Sequence, residues 1–360
     1  MRNLTRGLTI IGLLTTGGVA SAADLPSAKD LFDSWGVAFS GYVDGQYEYS
    51  SSPSPSLHVF DARHDSFVLN QAAFTLAAQP KEGWGGVVNV IAGEDARLIN
   101  LFSSPSSTNN FDVTQAFIQY ATGSWTIQGG KMLTLAGAEV IAPTLNTNVS
   151  RSLLFNAEPF THTGLRATYA ASDKVSVIFG VNNGWNETSD NNSQKTAEVG
   201  ISLTPSKAFT LTAQGYFGSE PVGNGLNGEK DLVDLVATWN VTDAASFMLN
   251  YDWGKQDNVL AGGGDAKWYG VAGYFNYAFN SLWRMSLRAE YFDDKDGYTT
   301  GAIQKVKEVT ATFGYAASKN FELRFEGRYD KSDEDFFLKD TSGKIDDNQT
   351  GVLVEGVFKF

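Results

Sequence analysis

The chain has 360 residues, with 27 lysines and arginines against 40 aspartates and glutamates, a formal net charge of −13, three histidines and no cysteine. An acidic balance of this kind argues against nucleic acid as a partner, and without cysteine neither a disulfide framework nor a thiolate metal site can form. His58, His64 and His162 are too scattered to predict a metal site, and no cofactor is predicted.

Residues 1–22 carry Arg2 and Arg6, an apolar run over 8–20 and the small triplet Ala20-Ser21-Ala22, the pattern of a secretory signal peptide. The run is too short for a membrane anchor, which needs about 18 or more apolar residues. Its removal leaves a net charge of −15. Residues 23–35 read as a short periplasmic N-terminal segment with room for one turn of helix. With only 9 prolines and no low-complexity linker, residues 36–360 read as one domain.

Past the signal no run reaches the length of a membrane helix, yet hydrophobic and polar residues alternate repeatedly over about ten residues, the mark of strands with one face to lipid and one to a lumen. Strands are expected at 36–49, 66–79, 84–94, 111–121, 125–133, 162–169, 175–183, 196–204, 209–218, 230–240, 245–253, 266–278, 282–292, 306–316, 321–330 and 349–360. Phe209, Leu211, Ala213, Gly215 and Phe217 would face out, with Thr210, Thr212, Gln214 and Tyr216 inward. Phe247, Leu249, Tyr251 and Trp253 oppose Ser246, Asn250 and Asp252 in the same way. Residues 321–330 place Glu322, Arg324, Glu326, Arg328 and Asp330 inward.

Connections alternate between short turns, such as 80–83 and 122–124, and long polar loops, such as 50–65, 293–304 and 331–348. Short periplasmic turns and long outer loops characterise outer-membrane barrels. Tyr49, Trp253, Tyr291 and Tyr329 fall at the outer strand ends and Trp84, Trp125 and Trp283 at the inner ends, as two interfacial girdles require. A soluble sandwich or propeller would use strands of about 5 to 6 residues, shorter than many of these. The predicted fold is therefore an all-β transmembrane antiparallel up-and-down barrel of about 16 strands in contact with outer-membrane lipids. Its last strand alternates to a terminal Phe360, resembling the signal by which barrel-assembly machinery recognises its clients.

Residues 134–161, between strands 5 and 6, form the longest gap and lack any sustained periodicity. An insertion of that length in a compact domain is expected to be functional, and here it is expected to fold into the lumen and narrow it. Strand n faces strand n + 8 across a 16-strand ring, so this loop would point towards strands 13 and 14. The loop carries Glu139, Glu158 and Arg151. The far wall carries Arg284, Arg288, Arg324 and Arg328, and a transverse field between the two sets would govern ion selectivity. Alternatively Glu290, Glu322 and Glu326 pair with those arginines and leave the wall nearly neutral.

The run GKMLTLAGAEVIAPTLNTNVSRSLLFNAEPFTHTGLRATY (residues 130–169), with GYVDG at 41–45, resembles the OmpL-like putative β-barrel porin-2 family. That resemblance implies an outer-membrane porin, a water-filled channel for ions and small hydrophilic solutes, and supplies no catalytic or ligand-binding residues. A plugged or substrate-specific transporter, adhesin or structural barrel is the alternative. An enzyme built on His162, Ser150 and Ser152 lacks an orienting partner; His162 is expected to anchor the end of the loop to the wall. Asp293, Asp294 and Asp296, and Asp333, Glu334 and Asp335, follow no calcium-loop spacing and read as solvated charge. The outward residues Ala72, Ala78, Gly86, Val88 and Ala92 are small or aliphatic, and a homotrimer through this side is expected, although the facing of strands 2 to 5 is the least determined by pattern, one choice putting Lys131 outward.

Overall fold

The computed structural model describes residues 32, 34–54, 57–103, 106–223 and 225–360. The expected signal peptide and nearly all of the 23–35 segment lie outside them. The barrel unit, Ser40–Phe360, is described by itself.

Sixteen strands close into one antiparallel barrel: β1 (Ala38–Ser50), β2 (Ser66–Ala78), β3 (Gly83–Ala92), β4 (Phe111–Thr122), β5 (Trp125–Leu133), β6 (Thr161–Ser172), β7 (Val175–Asn182), β8 (Thr196–Ser206), β9 (Phe209–Gly223), β10 (Leu226–Asn240), β11 (Ala245–Gln256), β12 (Ala266–Ala278), β13 (Trp283–Asp294), β14 (Gln304–Ala316), β15 (Phe321–Ser332) and β16 (Asn348–Lys359). Each strand pairs with its neighbours in sequence, and β16 closes on β1 from Tyr42↔Lys359 to Ser50↔Gly351. Closure leaves no backbone edge in lipid, where an unpaired N–H or C=O is costly. The turn between β4 and β5 is tight enough to need Gly123 at φ 55°, a left-handed conformation that glycine adopts without a Cβ penalty.

The alternation read from sequence sorts the side chains as expected. Leu249, Phe217 and Phe325 are exposed on the outer wall, while Asn250, Tyr216 and Arg324 are buried inside it. At the inner rim, Trp84, Trp125 and Trp283 pack across strands in tilted ring contacts with Tyr120, Tyr169 and Tyr315, centroids 4.6–4.8 Å apart. Lys131 shares the face of Trp125 and Ile127 and is cross-strand to Ala116, so it points outward.

The largest departure in strand length is at β9 and β10. Both were expected to stop near 218 and 230, yet they continue as a hairpin past Gly228↔Glu220. Beyond the membrane the ladder needs only backbone hydrogen bonds, so the polar residues 219–229 carry no alternation to mark it. Two helices were also not anticipated: α1 (Glu94–Ser103), in the outer loop between β3 and β4, and α2 (Leu153–Asn156), within the long loop between β5 and β6.

From mid-barrel to the outer rim the interior is packed. Gln46, Gln214, Asn250, Arg288, Glu308 and Glu326 all face inward and are at most 6% exposed. One apolar cluster joins Leu153 and Leu154 to the wall residues Leu232, Trp268 and Phe292 and to Leu57, Trp185 and Phe337 from other outer loops. A second joins Ala96 and Ile99 of α1 to Phe60, Ile141, Phe155 and Phe160. Inward side chains near the inner rim, such as Ser40, Asn240 and Ala278, are exposed.

Candidate functional site

The loop between β5 and β6 (residues 134–160, hereafter L3) is fixed at its base by a polar chain. The Thr134 N–H donates to Phe160 O (3.0 Å), and Thr134 Oγ1 and the Leu135 N–H both reach Tyr216 Oη, at 3.2 and 3.0 Å. Tyr216 Oη donates to Glu198 (3.1 Å), which also pairs with Arg166 (2.9 Å). His162, on β6, stacks on the Tyr216 ring at 4.4 Å and 12° and places Nδ1 3.2 Å from Gly184 O. It therefore braces the tyrosine that holds the start of L3 and, two residues past the loop's end, meets the loop between β7 and β8 at Gly184.

L3 then crosses the interior to β13, β14 and β15. Two wall carboxylates each grip a pair of consecutive backbone N–H groups: Glu326 takes Val149 and Ser150 at 2.6 and 2.9 Å, and Glu290 takes Leu153 and Leu154 at 2.7 and 2.8 Å. The second pair is the first turn of α2, capped by Ser152 Oγ accepting from the Phe155 N–H (3.1 Å). Such charge-assisted bonds to otherwise unpaired amide groups are the strong class. Asn148 adds a bond to Thr312 (2.7 Å), and Ala138 N–H one to Asn250 (2.7 Å).

The residues singled out from sequence have divergent fates. Glu139 does meet the far wall: it pairs with Arg288 at 2.8 Å, and Arg288 also holds Glu308 at 2.8 Å and the Ser150 carbonyl. Arg284 pairs with Glu322 (2.6 Å) and donates to Thr147 O (2.6 Å); it keeps about a quarter of its side chain exposed. Arg324 pairs with Glu322 and Glu355 and donates to Pro143 O at 3.0 Å. Arg328 pairs with Asp330 and with Asp61 from the outer loop between β1 and β2, not with L3. Arg151 turns back into its own loop, donating to the carbonyls of Val140, Ile141 and Val149 and packing near Phe60 and Phe155. Glu158 lies beside Asp234 and Asp252, away from the arginines. Of the expected opposition of loop acids and wall bases one direct, buried pair is present, Glu139 with Arg288; Glu322 pairs with Arg284 and Arg324, as the alternative expected, while Glu290 and Glu326 hold loop backbone.

Ser150 receives Arg288 and Ser152 caps α2, so neither serine is engaged by His162. Asp293 and Asp294, read as solvated loop charge, are buried instead: Asp294 accepts from Tyr298, Thr299 and Thr300 and closes the turn after β13, and Asp293 accepts from Tyr269. Glu308, Asp61, Asp234 and Tyr216 matter here and were not singled out. Only the inward parity of Tyr216 was legible, because the partners of the rest are set by loop paths.

On the inner side of L3 the interior opens. A hollow of about 360 Å³ is lined by Tyr42, Thr75, Asn89, Ile141 and Leu145, and another of about 180 Å³ by Thr147, Ser246, Asn276, Arg284 and Ser286.

Residues 36–360 match the family model described as "Putative beta-barrel porin-2, OmpL-like". No curated protein matches the chain. Among solved structures it is similar to the outer membrane channel DcaP of Acinetobacter baumannii, at 13% identity over 90% of this chain and 97% of that one, with a TM-score of 0.63. It is also similar to an anion-selective porin from Comamonas acidovorans (12%, 90% and 99%, TM-score 0.61) and to OmpT of Vibrio cholerae in a trimer form (13%, 90% and 99%, TM-score 0.61). At these identities the likeness is one of fold.

Proposed function

Since the chain belongs to the putative beta-barrel porin-2, OmpL-like family and is an outer-membrane porin, we propose that it passes ions and small hydrophilic solutes by passive diffusion, with L3 as the element that restricts the path. It acts as a channel rather than as an enzyme. The observation that carries this reading is the seating of L3 across a closed 16-strand barrel on the inward carboxylates Glu290 and Glu326. Barrels of 16 to 18 strands are wide enough to hold an aqueous channel, and here that width is occupied by a loop held by hydrogen bonds rather than by side chains of the wall alone.

The burial of the outer half of the interior favours a second reading, in which the resting barrel is closed and admits a specific solute on movement of its loops. Planar-bilayer recordings separate the two. Passive diffusion predicts stable open steps from the purified protein and larger steps after deletion of residues 146–155. A silent parent with a conducting deletion would establish L3 as a closed gate. Silence from both would defeat the channel reading.

Export through the 1–22 signal, insertion by the barrel-assembly machinery through Phe360, and selectivity set by the L3 and wall charges belong to the same proposal. So does a homotrimer, which the trimer form of the similar OmpT makes structurally reasonable.

A further inference from the structure

Three carboxylates from separate segments meet inside the barrel: Glu158 at the end of L3, Asp234 of β10 and Asp252 of β11. One oxygen of each lies within 4.8 Å of the others, and the three residues are 0–4% exposed. A single amide serves two of them: Asn250 Nδ2 donates to Asp234 Oδ1 at 2.7 Å and Asp252 Oδ1 at 3.1 Å, while its Oδ1 accepts the Ala138 N–H. Asp234 Oδ2, Asp252 Oδ2 and Glu158 Oε1 are left buried with no partner.

Charges of one sign so close together in a dry interior cannot all persist without compensation. The interior arginines do not supply it. Arg166 is committed to Glu198, Arg288 to Glu139 and Glu308, Arg324 to Glu322 and Glu355, and Arg328 to Asp61 and Asp330, while Arg151 is spent on backbone carbonyls. Glu158 is admitted to this position by Gly137, whose backbone is at φ 86° and where any Cβ would occupy the place of Glu158 Oε2.

We propose that Glu158, Asp234 and Asp252 bind one calcium ion, which pins the end of L3 to the wall at β10 and β11. Calcium takes hard oxygen ligands at about 2.3–2.6 Å. Two oxygens on one ion therefore lie up to about 5 Å apart, so the carboxylates need little movement to enclose it. The more accessible trio Asp335, Asp346 and Asp347 in the last outer loop makes the contrast, because Lys331 and Lys339 already pair with Asp347 and Asp346.

The test uses the full mature barrel refolded in detergent free of lipopolysaccharide, which itself carries divalent ions, and stripped with EDTA. Calcium chloride is titrated by calorimetry, and terbium by luminescence excited through tryptophan, Trp268 being packed over Gly254, two residues from Asp252. One site per chain is expected, with calcium raising the thermal midpoint. Asp252→Asn should weaken binding by roughly tenfold or more and abolish the thermal gain, and Asp335→Asn should change neither. If Asp252→Asn does not refold, Glu158→Gln, in the loop, is read in the same titrations. No calcium or terbium binding by the stripped parent, as when the three carboxyls share protons instead, overturns the proposal, and so does undiminished binding by the variant that folds. Both readouts are independent of whether the barrel conducts.

Discussion

Arg284 and Arg288 stand on the same inward face of β13 and meet different surroundings. Arg284 borders the inner hollow beside Ser246 and Asn276 and keeps contact with water. Arg288 is enclosed, with Glu139 and Glu308 as counter-charges. A guanidinium that faces the path contributes to the field an ion meets, whereas one that is buried and fully paired contributes to holding the loop. Arg284→Ala should therefore move the reversal potential under a salt gradient towards cations while the protein folds normally. Arg288→Ala should leave two buried carboxylates unpaired and cost about 3–5 kcal/mol of stability, read as a fall in the denaturant midpoint. Equal effects of the two on both readouts would remove the distinction. The alternation in WRMSLRAEY gives the inward direction of both arginines. It cannot give their partners, because Glu139 arrives through L3.

The loop elements hold the interior closed, and α1 carries a titratable tie of its own. Its Ala96 and Ile99 pack on Phe60 and Phe160, and Asp95 accepts from Gln71 at 2.7 Å and Asn70 at 3.1 Å. Burial raises the Asp95 carboxyl to about 7, against the lowering effect of those two amide donors and of Arg151. A raised carboxyl favours the docked helix while it is protonated. Its contribution is therefore full below about pH 4, the unfolded value, and is lost as pH rises through about 7. Amide hydrogen exchange in residues 94–103 should accelerate between pH 5 and pH 8 beyond the intrinsic rate, and Asp95→Asn should flatten that dependence; an identical profile in the variant would show that Asp95 does not govern docking. The helix was missed in the sequence because its ten residues sit between two strands, where a long polar gap was the simpler expectation. The strands were legible because lipid on one side imposes a period of two over their whole length. Where that pressure stops, as at 219–229, so does the legibility. Inward Leu232, Trp268, Phe292 and Val306 break the polar-inside rule because loops, not water, cover them.

At the scale of the whole barrel, the outer wall is uneven. Around β9 to β15 it presents large apolar groups such as Trp239, Phe247, Phe275 and Phe313, whereas β2 and β3 set the small pairs Ala72 opposite Ala92 and Ala78 opposite Gly86 among the larger Phe74, Leu76 and Val88. Small residues let two walls approach closely. On the neighbouring strands, Lys131 points outward and pairs with Asp112 at 3.0 Å, with side chains only 13% and 12% exposed. Lys131 lies six residues above the girdle residue Trp125, which on a tilted strand is about 15 Å up and within the apolar band of about 25 Å. Its ammonium reaches up to Asp112, the second residue of β4 at the outer strand end, beside Asn100, Asn109 and Thr188 of the outer loops, where a charge costs only about 0–1 kcal/mol. The expected assembly is a homotrimer with β2 to β5 at its centre, and native mass measurement in mild detergent should give three chains. Lys131→Glu, which sets like charges against each other at Asp112, should release barrels that remain folded as single chains. A monomeric mass for the parent protein would mean that this wall faces lipid and that the ion pair is tolerated there by its own neutrality.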